Sequence, residues 1–257
     1  MNLTKINFQN NCQIKYDAGE DIILENGLMR TARYPHKLLY PKTLDNDLAY
    51  LVGYHLGDGY LEDFNKAFKR RGKGSYEIDY ADRDPEQIKL INNIIEDKFR
   101  CKIKIYKKPH DNLWIGRMGS CKVLHWFLNK KLEIPMGEKN KIDIPKWILM
   151  NEERLSNFLS GFFDAEGDVG KTTNHSNKDK KYFIIRIQLT QKDREILLKI
   201  KEILYEKFNV KSNVNKKWNQ DAWMLHIWGR KNAILFKEKI DFRNDIKKTK
   251  LIKFLER

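Results

Sequence analysis

The sequence predicts an α+β protein made by duplication: two αββαββα lobes about a pseudo-twofold axis, each with helices on one face of an antiparallel sheet. Three observations predict it. The stretch Leu51-Val-Gly-Tyr-His-Leu-Gly-Asp-Gly59 returns as Leu159-Ser-Gly-Phe-Phe-Asp-Ala-Glu-Gly167, a shift of 108 positions. The shift then persists, with Asp84 matching Asp193, Glu86 matching Glu195, Phe99 matching Phe208 and Trp114 matching Trp223 at 109, and Gly119 matching Gly229 at 110. Each half also alternates 3.6-period apolar stripes with period-2 segments in the same order.

The elements follow in turn. Residues 1–45 do not repeat and form an extension of unknown role; alternation over 12–16 and 21–25 predicts a hairpin about Ala18-Gly19. Asp45-Asn-Asp47 caps a helix whose apolar face is Leu48, Leu51, Val52 and Leu56. Two strands follow Gly59, the second over 76–80, with the basic residues Lys69, Arg70, Arg71 and Lys73 on the loop between them. Asp84-Pro85-Glu86 starts the next helix with a cap and a first-turn proline, and its stripe is Ile88, Ile91, Ile95 and Phe99. Strands over 102–107 and 113–117 and a helix over 120–131 complete the first lobe, taken as 46–143. Pro135, Gly137 and Pro145 mark a connector over 132–151. The second lobe, 144–257, repeats the order: helix 152–165, strands 168–173 and 182–190, helix 192–208, strands 210–217 and 222–228, and helix 230–240. A basic terminal helix follows over 243–257.

Composition narrows the partner. The 257 residues hold 50 Lys+Arg against 35 Asp+Glu, a formal charge of +15, with 41% hydrophobic residues. That apolar share fills a core, which excludes a disordered basic tail. Six basic and five acidic residues fall in 1–45, so the excess belongs to the lobes and points to a polyanion, most often nucleic acid. No run approaches the roughly 18 apolar residues of a membrane span, and the polar start is not a secretory signal. Cys12, Cys101 and Cys121 form no zinc pattern, which fits a reducing, intracellular setting.

Chemistry concentrates in the repeated nonapeptides. Gly53, Gly57, Gly161 and Ala165 put small residues one turn apart on each helix, a spacing that lets two helices pair closely about the twofold. Such pairing brings Asp58 and Glu166 together at two helix C-termini, where partial negative charge already repels them. A divalent cation between them relieves this, and Mg²⁺ takes a few carboxylates, carbonyls and water; the metal set is Asp58 and Glu166 with Gly57 and Ala165. Metal-bound acids beside a basic sheet suit phosphodiester hydrolysis. Asp164 and Asp168 have no repeated partner and read as solvating or capping residues. The stretch 165–172 fits a relaxed phosphate-loop pattern, but a helix precedes it where a true loop needs a strand.

At these motifs the sequence resembles the LAGLIDADG homing endonucleases, in the single-chain, two-motif form common in archaeal introns and inteins. The resemblance covers 46–250, and residues 141–148 leading into 158–167 strengthen it. It implies that Asp58 and Glu166 are catalytic and bind Mg²⁺, with Mn²⁺ substituting. The implied activity is cleavage of double-stranded DNA across the minor groove by a monomer, leaving short 3′ overhangs. It also implies a basic residue near each centre; Lys139 or Lys141, and Lys247 or Lys248, fall there, and Lys141 and Lys248 are the assigned candidates. The chain starts with Met and does not end in His-Asn, which favours a free-standing or intron-encoded enzyme over an excised intein. An RNA maturase assisting its intron, or a DNA-binding protein that does not cut, is the rival reading.

The strands aim the charge. Lys102 and Lys104 share one face of their strand, as do Arg186, Gln188 and Thr190 of another and Lys211, Asn213 and Asn215 of a third. With Arg117 they suit a sheet in the major groove. Lys69, Arg70, Arg71 and Lys73, and Lys178, Lys180 and Lys181, would grip phosphates further out. Glu77 and Asp79 occupy the first-lobe places of Arg186 and Gln188 and fit this surface poorly.

Overall fold

A computed structural model describes residues 12–14, 22–31, 37–139, 141–174 and 182–256. Their contacts divide the chain into one unit ending at Lys139 and another running from residue 140 to the C-terminus.

The first unit opens on a four-stranded antiparallel sheet in chain order: β1 (Cys12–Ile14), β2 (Ile22–Glu25), β3 (Leu28–Thr31) and β4 (Leu38–Leu39). β1 pairs with β2 as expected, Cys12 opposite Leu24 and Ile14 opposite Ile22; the turn at Ala18-Gly19 lies outside the described residues. Asn26 and Gly27, at φ 51° and 75°, form the two-residue turn into β3, a left-handed pair that asparagine and glycine adopt at low cost. Ile22 and Met29 are wholly buried, and Tyr40 sets its ring 5.6 Å from Phe127. This sheet therefore helps build the core of its unit.

The first lobe proper is α1 (Asn46–Asp58), β5 (Gly59–Leu61), α2 (Phe64–Arg71), β6 (Ile78–Asp82), α3 (Pro85–Phe99), β7 (Lys104–Lys107), β8 (Trp114–Met118) and α4 (Lys122–Trp126), which continues through a π-helical turn over Phe127–Lys131. The carboxylates of Asp45 and Asp84 cap α1 and α3 by accepting the Leu48 and Glu86 N–H groups. Ile88, Ile91, Ile95 and Phe99 are buried along α3, each contributing about 1.5–3 kcal/mol. Helix α2 replaces the expected loop. Asp63 caps it through the Asn65 and Lys66 N–H groups, and Gly72 at φ 70° ends it. Only Ala67 is buried there, so no apolar stripe announces the helix.

The second unit carries α5 (Lys146–Leu149), α6 (Glu152–Glu166), β9 (Gly167–Asn174), β10 (Tyr182–Gln191), α7 (Arg194–Phe208), β11 (Ser212–Lys216), β12 (Trp223–Trp228), α8 (Arg230–Lys239) and α9 (Asp245–Leu255). Its sheet order, β9-β10-β12-β11, reproduces β5-β6-β8-β7. The register agrees too: Gly59 lies opposite Tyr80 where Gly167 lies opposite Leu189. The duplication is therefore one of fold as well as of sequence. The phosphate-loop-like stretch is mostly β9, a strand of an antiparallel sheet.

Candidate active site and nucleic-acid interface

In each lobe the motif helix becomes a strand with no loop between. Asp58 is the last residue of α1 and Gly59 the first of β5; Glu166 ends α6 and Gly167 begins β9. Both glycines are extended, at φ −89° and −91°, so room rather than backbone freedom selects them. A Cβ on Gly59 would lie 2.5 Å from the His55 ring, and one on Gly167 would lie 2.3 Å from the Phe163 carbonyl oxygen. The tight exit leaves each carboxylate half-exposed at the helix end. Gly53 and Gly161 are buried on their helices, and Gly57 and Ala165 half-buried.

The last carbonyls of a helix lack intrahelical donors and carry the negative end of its dipole. One lysine answers this in each lobe. Lys139 Nζ donates to the carbonyl oxygens of His55 (2.9 Å), Gly57 (2.6 Å) and Gly59 (2.8 Å). Lys247 Nζ donates to those of Phe163 (3.2 Å) and Asp164. Part of the positive charge that the sequence argument required at these ends is thus supplied by the protein. The Gly57 oxygen, an expected metal ligand, already holds this ammonium, so a cation there would have Lys139 as its neighbour.

Of the paired alternatives, the lysines that reach the helix ends are Lys139 and Lys247. Lys141 is exposed, and Lys248 pairs with Asp241 at 2.9 Å. The signal that selects Lys139 and Lys247 was in the sequence: each follows its motif carboxylate by the same 81 positions. Of the two readings of Asp164, solvating or capping, the structure keeps the second, since the carboxylate is buried. Its Oδ2 accepts the N–H groups of Arg243 and Asn244, both at 3.0 Å, and Asn244 in turn caps α9 by accepting the Lys247 N–H. Asp164 thereby fixes the segment that delivers Lys247. Asp168 is exposed and pairs with Lys250.

Behind the two carboxylates the surroundings differ. His55 is fully buried, its Nδ1 3.1 Å from the Tyr80 hydroxyl; burial, then Lys139 and His125, hold its pKa well below the usual value. The Tyr54 hydroxyl donates to Asp82 at 2.8 Å, and burial with the charges of Asp82 and Asp58 raises its pKa. In the second lobe the Gln191 amide donates to Glu166 Oε1 at 2.8 Å. Gln191 and Asp82 end equivalent strands, and only the sheet register, which no sequence pattern marks, places them beside the motif helix.

Of the expected DNA contacts, the faces away from the helices hold Lys104, Arg117, Arg186, Gln188, Asn213 and Asn215. One row across the first sheet is Tyr60, Asp79, Arg117 and Lys104; the matching row of the second is Asp168, Gln188, His226 and Asn213. Arg186 and Asn215 lie on neighbouring rows, opposite Trp228 and Met224, and Lys211 is exposed just before β11. Lys102 precedes its strand and pairs with Glu96 at 3.0 Å. Lys69, Arg70 and Arg71 sit on α2, with Lys73 just beyond it. Arg70 and Arg71 reach Glu62, a carboxylate only 3% exposed, at 3.2 and 2.8 Å. Lys178, Lys180 and Lys181 lie outside the described residues. Arg117 donates twice to Asp79, which explains the misfit acid on this face. No helix of the described residues is long and apolar enough to cross a membrane.

Comparison with known proteins follows the same lines. Residues 153–241 match the LAGLIDADG-like domain family. The glutamine–fructose-6-phosphate aminotransferase (isomerizing) of Methanocaldococcus jannaschii is 25% identical over 235 residues, which is 90% of this chain and 19% of that protein. The chain spans about a fifth of the length of the curated relatives it matches. Among solved structures, the I-LtrWI LAGLIDADG homing endonuclease bound to target DNA superposes with a TM-score of 0.56 at 16% identity, over 83% of this chain and 91% of that one. I-DmoI in complex with DNA and Mn superposes with a TM-score of 0.52 at 20% identity, over 76% and 96%. The second lobe thus matches the LAGLIDADG-like domain family over residues 153–241, and the chain has the fold of the LAGLIDADG homing endonucleases in its single-chain form with two lobes.

Proposed function

We propose that the chain is an intracellular, monomeric, site-specific homing endonuclease that makes metal-dependent double-strand breaks in a long, asymmetric DNA target. One observation carries this reading: the carboxylate at the end of a helix, with a lysine on that helix's last carbonyls, occurs twice at matching positions of two sheets with polar, basic outer faces. The related fold supports it, since I-DmoI has been solved with DNA and Mn and with DNA and Ca, and a substituted I-DmoI with its target DNA in 2 mM Mg.

The donor set fits Mg²⁺, with Mn²⁺ as substitute. Among the described residues no three His, Cys, Asp or Glu side chains gather into a complete protein site. What each lobe offers is a half-exposed carboxylate and adjacent carbonyls, oxygen donors that leave places for water and phosphate. Asp58 and Glu166 would hold the cation, with the Gly57 and Ala165 carbonyls beside them. A bound divalent cation supplies charge stabilisation and a more acidic water at the scissile phosphate. The protein's own part is positioning. Lys139 and Lys247 fix the helix ends and add positive charge near a pentavalent phosphate, Gln191 orients the Glu166 carboxylate, and the sheet faces set the DNA register. Asymmetry follows from rows as different as Tyr60-Asp79-Arg117-Lys104 and Asp168-Gln188-His226-Asn213.

Cutting of a randomised-target plasmid library with Mg²⁺, Ca²⁺ and EDTA tests the proposal. One target should be linearised with Mg²⁺ only, and Asp58→Asn with Glu166→Gln should bind that target without cutting it. Robust cutting by the double variant would refute the carboxylate assignment. Promotion of intron splicing with no cutting of any DNA would favour the maturase reading.

A further inference from the structure

We infer that Arg117, held by Asp79, reads a single guanine in the part of the DNA target that lies on the first-lobe sheet. The inference rests on the DNA-binding reading above and deepens it to one base. Arg117 lies on β8, between β6 and β7, on the face away from the helices. Its Nε and Nη2 donate to the two carboxylate oxygens of Asp79 at 2.7 and 2.6 Å. A guanidinium has five N–H groups in one plane, so both Nη1 hydrogens and one Nη2 hydrogen are left at the outer end. Among the described residues no other acceptor takes them. That end is a fork of the width of guanine O6 and N7 in the major groove, the most common arginine–base contact.

Two arguments favour a base over a phosphate. The pair is solvent-facing, with side-chain exposures of 43% for Arg117 and 21% for Asp79, so it adds little to stability. Its effect is to fix the plane of a long side chain before DNA arrives, which lowers the ordering cost of binding. A phosphate contact gains from free positive charge, and here a carboxylate neutralises that charge and would repel the phosphate. Of the other basic residues expected at the DNA, those with carboxylate partners lie off the sheet strands: Arg70 and Arg71 on α2, and Lys102 ahead of β7. In the second lobe the corresponding pair is Gln188 opposite His226, which offers no such fork, so the guanine requirement is confined to one half of the target.

The test is base preference, measured position by position by selecting bound duplexes from a randomised library in Ca²⁺. Wild type, Arg117→Lys, Arg117→Ala and Asp79→Asn would be compared. Wild type should favour guanine at one first-lobe position by about tenfold to a hundredfold. Arg117→Lys keeps the charge and should lose that preference alone, with the other positions unchanged. Asp79→Asn removes a negative charge but frees the fork; it should bind DNA more tightly overall while its preference at that position weakens. A general structural defect would not separate these two readouts. If both arginine variants weaken every sequence equally, Arg117 grips the backbone and the inference fails. If wild type enriches a target whose preferences no variant alters, it also fails, while the DNA-binding reading stands. If wild type enriches no sequence, both fall.

Discussion

At the end of α1 the packing behind the carboxylate is polar: His55 against Tyr80, Tyr54 on Asp82. At the end of α6 the same places hold Phe163, Leu189 and Phe162, and the polar contact moves forward to Glu166 itself, which takes the Gln191 amide. The backbone did not follow this divergence. Both helices run straight into a glycine-led strand, and both receive a lysine from 81 positions beyond the carboxylate. Both helix ends leave last-turn carbonyls without intrahelical donors, and a lysine answers them in each lobe. Buried side chains need only fill space and satisfy one another, and a hydrogen-bonded His–Tyr pair does that about as well as Phe–Leu.

The largest expected effect breaks the shared element. Asp58→Asn or Glu166→Gln should each lower double-strand cutting on the order of a thousandfold, the share expected of a lost metal ligand. Plasmid gels sharpen the comparison, since a nicked product from one variant alone would show that each lobe's acid serves its own strand. Next come swaps between the lobes. Asp164→Leu installs the residue found at the equivalent place, Leu56, and orphans the Arg243 and Asn244 N–H groups. A loss of about 3 kcal/mol is expected from the urea midpoint. Lys247→Met should lose about 1–2 kcal/mol, and cutting with it, because the carbonyls it caps stay in place.

What could be read in advance divides along the same line. The aspartate caps at Asp45 and Asp84 and the α3 stripe are local patterns, the duplication is a plain repeat of them, and the structure shows all three. Helix α2 was invisible because its tie is the Arg70 and Arg71 contact to Glu62, a side-chain cluster with no periodic trace. Nothing beside Asp164 in the sequence marks it as buried, because the N–H groups it accepts lie in a segment 79 residues away. The Asp79–Arg117 pair needed the register of β6 against β8, which composition does not encode. The lysines were the opposite case. Their shared spacing from the motif carboxylates is present in the sequence itself.

A smaller effect separates the polar lobe from the apolar one by pH. Buried His55 stays neutral in the folded chain, its pKa below the ordinary 6.5. As pH falls through 6.5, the unfolded chain takes a proton that the folded chain refuses. Stability is therefore complete above that value and lost below it, by at most about 1.4 kcal/mol per pH unit. His55→Phe gives the first lobe the second lobe's residue and should flatten urea stability below pH 6.5. His226, also lowered by burial and Arg186, is present in both proteins and cancels in the difference. Parallel profiles would mean that His55 protonates as easily folded as unfolded.

The smallest effect lies at Glu166. Gln191→Ala removes one amide hydrogen bond to a half-exposed carboxylate, worth about 1 kcal/mol, and cutting should fall within about tenfold. Gln191→Asp is more telling, because it copies Asp82 from the first lobe and sets a second carboxylate beside Glu166. Without a cation the two acids repel, and a loss of about 1–2 kcal/mol is expected in EDTA. A divalent cation on Glu166 would reverse that penalty, so Mg²⁺ should restore the melting temperature of Gln191→Asp while shifting wild type little. If Gln191 only fills the end of β10, Mg²⁺ will move both proteins alike, and the metal must then be sought away from Glu166.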